Sequence, residues 1–415
     1  MKILIVSSIW PHPEHSTRAA NIVIYQMLAA LAAEDDVTVG LLVVGGPSVL
    51  SLELEETQGA NSLSDLGVTV LEPLDLGPTL PRRGRIQRLL SPSLGDWYPQ
   101  CRLSEKIGRR VEDWAADVIL VPWSEWLTHA CSDLNVDKFA YYGNPDPKAA
   151  RVQLSIKYRL SGGSKFKHVI ERLWVSIFER LHLAALKKYK YLGNVALNDA
   201  KYYEINGHTN AFYIQSIWAF PHVNTRRPNE AERGPFRIVG SIGKVNGTAN
   251  TLGLEYLRTF LMPELDMVMK GMEYEVHIFG AGVPNRLIES LKRHPKILWR
   301  GFVTDIDQEL LDSDVFLCVN NATEFKVQHT RYLHAWSLGI PVVAHVDAAL
   351  SMPELIHGEN CLLGHDQSEI AKHLYYLHKN PQMRKIIGDQ GKNSFARDFT
   401  AEKVSMRILQ KLKEH

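Results

Sequence analysis

Only four cysteines, Cys101, Cys131, Cys318 and Cys361, occur in 415 residues. They lie far apart, which excludes a disulfide scaffold and a cysteine-based zinc module and leaves reduced thiols as the expectation. Net charge is nearly absent as well: 47 Lys and Arg against 46 Asp and Glu give +1. That balance argues against a general nucleic-acid coat and against an acidic tail protein. No apolar run approaches the roughly 18 residues a membrane-spanning helix needs. The opening Met1-Lys2-Ile3-Leu4-Ile5-Val6 is too short for the apolar region of a signal peptide, and no small-residue cleavage site follows it. A buried first strand is the expectation there. Several nucleotide and hydrolase signatures are missing: no Gly-x-Gly-x-x-Gly after the first strand, no Gly-x-x-x-x-Gly-Lys-[Ser/Thr] and no Gly-x-Ser-x-Gly. His345–Asp347 and His365-Asp366 are pairs only, so no metal site is expected.

What is present is an ordinary globular mixture, 45% apolar and 22% charged, in a chain long enough for two or three domains. Short Val-, Ile- and Leu-rich runs alternate with amphipathic stretches. Strands are expected at Lys2–Ser7, Val37–Val44, Val118–Val121, Lys138–Tyr142 and Val195–Leu197, with a helix over Ala20–Ala33. Runs that do not alternate strictly are those of strands covered on both faces. The polar stretch Asn224–Pro235, with two prolines and a glycine, predicts a linker. The pattern then restarts, with strands at Phe236–Val239, Glu275–Phe279, Ile297–Trp299, Val315–Val319 and Pro341–Ala344, and helices at Leu252–Phe260, Gln328–Leu338 and Thr400–Leu412. The expected fold class is α/β, two doubly wound Rossmann-like domains facing a central cleft. The expected boundaries are 1–223, a linker over 224–235, a second domain over 236–393 and a C-terminal helical segment over 394–415 that crosses back to the first domain.

Ligands of such sheets bind outside the carboxyl ends of the strands. In the first half those ends carry Trp123-Ser124-Glu125 and Gly143-Asn144-Pro145-Asp146. In the second they carry Gly240-Ser241-Ile242-Gly243-Lys244, Gly280-Ala281-Gly282, Gly301-Phe302-Val303 and Asn320-Asn321. Glycines at strand ends let backbone amides approach a phosphate closely, though each alone is equally a turn residue.

The second half runs in a recognisable order: Gly-Ser-x-Gly-Lys, Asn250-Thr251-Leu252-Gly253-Leu254, Phe279-Gly280-Ala281-Gly282, Gly301-Phe302-Val303-Thr304-Asp305, Asp314-Val315-Phe316-Leu317, Ala335–Ala344 and Glu354–Leu363. In that order and spacing it resembles the family 4 glycosyltransferases of the GT-B fold, over roughly Phe236–Asn393. The resemblance implies sugar transfer from a nucleotide-diphosphate sugar held by the C-terminal domain to an acceptor held by the N-terminal one, with retention and without a metal or other cofactor. Carried over residue by residue, it implies Lys244 and Arg331 at the diphosphate and Glu324 near the transferred sugar as the catalytic set. Gly243, Gly280, Gly282, Val303, Thr330 and His334 fall on the donor side. Two departures stand out. The family's pair of glutamates would fall on Lys326 and His334, so Glu324 and an imidazole take those roles, and no second lysine follows Lys244, where Gly247-Thr248-Ala249-Asn250 stands.

On the acceptor side the loop Ile9–Arg18 lacks the glycines that family members often have. His12, His15, Arg18, Glu125 and Asp146 are the acceptor candidates, each also readable as a cap or turn former. The segment Lys148–Lys190 holds eleven Lys and Arg against Glu171 and Glu179, and a second basic stretch spans Arg82–Arg88. Basic amphipathic segments suit an anionic membrane surface, whereas Val169–Leu181 alone reads slightly better as a core helix with a solvated basic face. The expected partners are a nucleotide sugar, a glycan or lipid-linked acceptor and an anionic membrane surface, with no nucleic acid. The expected location is cytoplasmic, peripheral at the inner face of the membrane. The expected role is glycosyl transfer in surface polysaccharide or glycoconjugate synthesis. The competing readings are a sugar-nucleotide 2-epimerase of the same fold and a non-catalytic GT-B subunit binding a glycan or partner.

Overall fold

A computed structural model describes the whole chain except residues 14–18, 47–60, 78–83, 99–102, 162–163, 222–233, 244–246, 283–284, 325, 327–329 and 415. His15, Arg18, Lys244, Arg82, Arg83 and most of the expected linker therefore lie outside the described residues. The chain forms two compact units, Met1–Ile217 with Val404–His415, and Trp218–Lys403.

The first unit is built on a parallel sheet. Its strands are β1 (Lys2–Ser7), β2 (Thr38–Gly45), β3 (Thr69–Val70), β4 (Leu74–Asp75), β5 (Val118–Pro122), β6 (Asp137–Tyr142), β7 (Tyr191–Asn194) and β8 (Ala211–Tyr213). Their order is β3-β2-β1-β5-β6-β7-β8, with β4 also on β2. Ile3, Leu4, Ile5 and Val6 of β1 are all fully buried, as the unbroken apolar run requires of a central strand covered on both faces. The second unit carries β9 (Phe236–Ser241), β10 (Tyr274–Phe279), β11 (Ile297–Gly301), β12 (Val315–Cys318), β13 (Val342–His345) and β14 (Leu362–Gly364), in the order β11-β10-β9-β12-β13-β14, again parallel throughout. Two separate doubly wound sheets are thus confirmed.

The helices that place the functional side chains are α1 (Ala19–Ala32), α2 (Glu125–Ala130), α3 (Asp146–Ser161), α4 (Lys165–Leu186), α5 (Leu197–Ile205), α6 (Thr248–Tyr256), α7 (Ile306–Leu311), α8 (Thr330–Ser337), α9 (Pro381–Asp398) and α10 (Ala401–Lys413). From Val404 onward α10 belongs to the first unit. There Arg407 Nη1 donates to Gln215 Oε1 at 2.6 Å, Lys413 pairs with Asp36 at 2.8 Å, and the Tyr191 hydroxyl donates to the Glu414 carbonyl at 3.0 Å.

Three expectations need correction. The strand expected at Val195–Leu197 lies earlier, at Tyr191–Asn194, and Leu197 opens α5. Gly193 hid the strand, and a side chain there would be tight: a Cβ would sit 3.0 Å from the Phe139 ring and from Ile214 Cγ2. The helix expected at Leu252–Phe260 begins at Thr248 and continues through a π-helical turn at Leu257–Leu261 into a further helix, Met262–Val268. Finally, Val169–Leu181 is not a core helix. Within α4, Phe166, Val169, Ile170 and Leu173 are exposed, while Phe178, His182, Ala185 and Leu186 are buried. Helix α3 flanks α4 and meets it through the ion pairs Lys157–Glu171 in the first half of α4 and Arg151–Glu179 in its second. The apolar stripe of α4 at i, i+3, i+4, i+7 spacing still faces outward.

Candidate functional site

In the second unit the chain runs outward from β9 through β10 to β11, then returns to place β12 on the other side of β9. The carboxyl ends of β9 and β12 therefore flank the topological switch point, where doubly wound sheets bind ligands. β9 ends in the turn Ile242-Gly243, with Gly243 at φ +80°, a conformation that costs a residue bearing Cβ. β12 leads into a tight 3-10 turn at Asn320–Ala322.

Three polar side chains meet here. Asn320 Nδ2 and Arg331 Nη1 both donate to Asn250 Oδ1, each at 2.7 Å. They come from the turn after β12, the first turn of α8 and the first turn of α6. Gly253 makes this meeting sterically feasible, because a Cβ on it would lie 2.2 Å from Asn320 Oδ1. Burial pushes the Arg331 guanidinium below its usual range, so an anion beside it would meet a poorly solvated positive charge. The helix that carries Asn250 and the turn that carries Asn320 also line a cavity of about 560 Å³, through Leu252, Tyr256, Thr323, Glu324 and Lys326, among others. Glu324 is exposed. Lys326, on one of the two positions where the family carries glutamate, pairs with Asp347 Oδ2 at 2.6 Å and donates to the Asn321 carbonyl at 2.6 Å.

The remaining donor-side candidates spread along the same carboxyl edge of the sheet. Gly280 follows β10 and donates its N–H to the Gly301 carbonyl at 2.7 Å. Gly282 is exposed, and Val303, after β11, is half-buried. Thr330 is the first residue of α8. His334, one turn after Arg331, is directed to different neighbours: its Nε2 lies 2.5 Å from Asp307 Oδ1 of α7, and its ring lies 5.3 Å from that of Trp218. Asp307 was not singled out from sequence; Asn320 was named only as a strand-end residue, and Asn250 and Gly253 only within their motif. The recurring Asn-x-x-Gly-Leu spacing was the available signal for those two. Packing explains another motif: Trp336, fully buried, meets α9 where Gly391 leaves space, since a Cβ there would lie 2.4 Å from Trp336 Cδ1.

In the first unit the switch point lies between β1 and β5. The adjacent strands β5 and β6 both end in left-handed, non-glycine residues, Trp123 at φ +52° and Asn144 at φ +58°. Such strained backbone concentrates at functional sites. Asn144 N donates to Asp199 Oδ2 at 2.6 Å, and Asp199 also pairs with Lys148. Of the acceptor candidates, His12 is half-buried and its N–H donates to the Asn21 carbonyl at 3.3 Å. Glu125 and Asp146 do come together: Asp146 N approaches Glu125 Oε1 at 3.4 Å, and Tyr98 Oη donates to Asp146. Both carboxyls are pushed up by burial, Glu125 well above the usual range with Asp146 beside it adding to the effect. Glu125 Oε2 faces inward, 3.6 Å from His129 Nε2 and 3.5 Å from His182 Nδ1.

Residues 237–380 match the family described as glycosyl transferases group 1. That match spans most of the second unit. Over its whole length the chain is similar in fold to solved GT-B glycosyltransferases. Anabaena Alr3699/HepE, solved in complex with UDP and glucose, is 14% identical, with all of both chains covered and a TM-score of 0.60. Sucrose-phosphate synthase from Thermosynechococcus elongatus is 14% identical, with 100% of this chain and 98% of that one covered and a TM-score of 0.63. A glycosyltransferase from Rickettsia africae is 12% identical, with 100% and 99% covered and a TM-score of 0.59. No curated protein matches the chain in sequence. The resemblance drawn from the motif order is thereby confirmed for the second half, and the fold expectation for the whole chain.

Proposed function

We propose that this GT-B protein transfers a sugar from a nucleotide-diphosphate sugar to a glycan, glycolipid or lipid-linked acceptor, with retention. The carrying observation is the Asn250–Asn320–Arg331 cluster at the β9/β12 switch point, within the segment that matches the group 1 glycosyltransferases. The leaving diphosphate gains negative charge in the transition state. Arg331, preorganised by Asn250, is assigned to stabilise it. Lys244, outside the described residues, is assigned the same role, so that transfer needs no metal at the phosphates. Glu324, which lines the 560 Å³ cavity, is assigned to the sugar. His334, its ring held by Asp307, is assigned to the ribose side. Binding of UDP and glucose by the Anabaena protein supports a uridine nucleotide as the first donor to test.

The same reading places the acceptor at a membrane surface. Among the described residues no helix is long and apolar enough to cross a membrane. The exposed Phe166, Val169, Ile170 and Leu173 stand beside exposed Lys165, Lys167 and Arg172, an apolar stripe with cations that suits an anionic bilayer surface.

The deciding experiment incubates the full chain with UDP-sugars and lipid-linked or glycan acceptors and separates the products. Glycosylated acceptor with release of nucleoside diphosphate supports the proposal. Conversion of the donor to an epimer without acceptor product points to the epimerase, and nucleotide binding with no turnover points to a non-catalytic subunit.

A further inference from the structure

The buried cluster behind β5 has a geometry that hydrogen bonding alone does not satisfy. Glu125 and His129 stand one turn apart on α2, and His182 reaches them from α4. The His182 Nδ1–His129 Nε2 distance is 3.1 Å, His182 Nδ1–Glu125 Oε2 is 3.5 Å and His129 Nε2–Glu125 Oε2 is 3.6 Å. One proton can bridge the two imidazoles. Glu125 Oε2 then keeps no hydrogen-bond partner although the atom is buried, and the same holds for His129 Nδ1. A carboxylate oxygen turned towards two ring nitrogens in a buried site is costly unless a cation lies between them.

The three distances match such a cation. Tetrahedral zinc with bonds of about 2.0–2.1 Å holds its ligand atoms about 3.3–3.4 Å apart, which is where this triangle is centred. Octahedral ions of similar bond length would draw them to about 3.0 Å. We infer that Glu125, His129 and His182 form a three-ligand zinc site in the first unit, its fourth position taken by an exchangeable water. Glutamate and histidine one turn apart, joined by a distant histidine, project their ligand atoms to one point much as metal-binding helices do. The outer shell is built for His182, while His129 Nδ1 has no such partner. His182 Nε2 lies 2.7 Å from Tyr203 Oη, and Tyr203 Oη lies 2.5 Å from Tyr142 Oη. With Nε2–H donated to Tyr203, Nδ1 presents its lone pair to the metal. The ion would tie α2, at the end of β5, to α4, whose first half carries the exposed apolar stripe. This inference stands apart from the donor-site reading, since its residues all lie in the first unit and its test involves no nucleotide.

The test strips the full-length protein with a chelator and titrates it with Zn²⁺ against a chromophoric competitor. Co²⁺ then replaces zinc for visible spectroscopy. One equivalent of zinc per chain and intense tetrahedral Co²⁺ bands are expected. Glu125→Gln and His182→Gln should each weaken zinc binding at least tenfold, and Tyr203→Phe roughly tenfold through the ring it orients. His373→Gln should leave binding unchanged, because that imidazole, 5.2 Å from His357, is occupied by the Leu363 carbonyl at 3.1 Å. Substoichiometric zinc on the wild-type chain overturns the proposal. So does full retention in Glu125→Gln, or loss in His373→Gln. Stoichiometry and cobalt spectra of the wild type decide the matter even where His182→Gln fails to fold.

Discussion

The two units use one sheet design and treat their polar residues in opposite ways. In the second, Arg331 is held by Asn250 at the switch point, and Glu324, exposed, lines a cavity. In the first, carboxylates turn inward: Asp199 of α5 is fully buried against Lys148, and Glu125 faces two buried histidines. A polar group facing a cavity is arranged for a ligand that comes and goes. A polar group folded into the interior needs a permanent partner. On this account the second unit handles the donor nucleotide, and the first frames its strand ends with a fixed polar network.

The largest effect expected is on the packing of the donor unit. Trp336→Ala should cost about 3–5 kcal/mol, the usual range for a large aromatic removed from a core, read as a lowered urea midpoint. Arg331→Ala should leave the fold intact and lower kcat about 100- to 1,000-fold, the range for removing one donor to a developing anion, with a smaller change in donor KM. Equal losses in kcat and in binding of the intact donor would assign Arg331 to ground-state binding instead. Gly253→Ala drives a methyl into Asn320, 2.2 Å from its Oδ1 in the unshifted backbone. Overpacking of this kind costs about 1–3 kcal/mol, and nucleotide affinity should fall with it in a binding titration. At the low end, Lys413→Ala removes a half-exposed pair with Asp36 and should change stability by no more than about 1 kcal/mol.

The same contrast explains what could be read without coordinates. The second unit's signals are compressed into short motifs, because each glycine answers a nearby contact: Gly253 faces Asn320, and Gly391 faces Trp336. Motif order therefore carried the family, and the unbroken apolar runs of β1 and β12 carried the sheets. The first unit's network joins residues remote in sequence. His129 and His182 are 53 positions apart, and Tyr142 and Tyr203 are 61 apart, so no local spacing announces them. Strand β7 was misplaced for a related reason: its glycine is dictated by Phe139 on the neighbouring strand, not by its own segment. The outward stripe of α4 was misread because helical periodicity reports an apolar face without saying whether anything covers it. Vesicle sedimentation sharpens that point: Phe166→Ser with Leu173→Ser should reduce binding to anionic vesicles, and wild-type binding should weaken as salt rises.

The most direct test of the division between the units is amide hydrogen exchange on the full chain with and without UDP. The account predicts new protection at 242–243, 248–256, 318–324 and 330–334, the turns and helix starts around the β9/β12 switch point. Protection confined to the ends of β1, β5 and β6, with those second-unit segments unchanged, would contradict it.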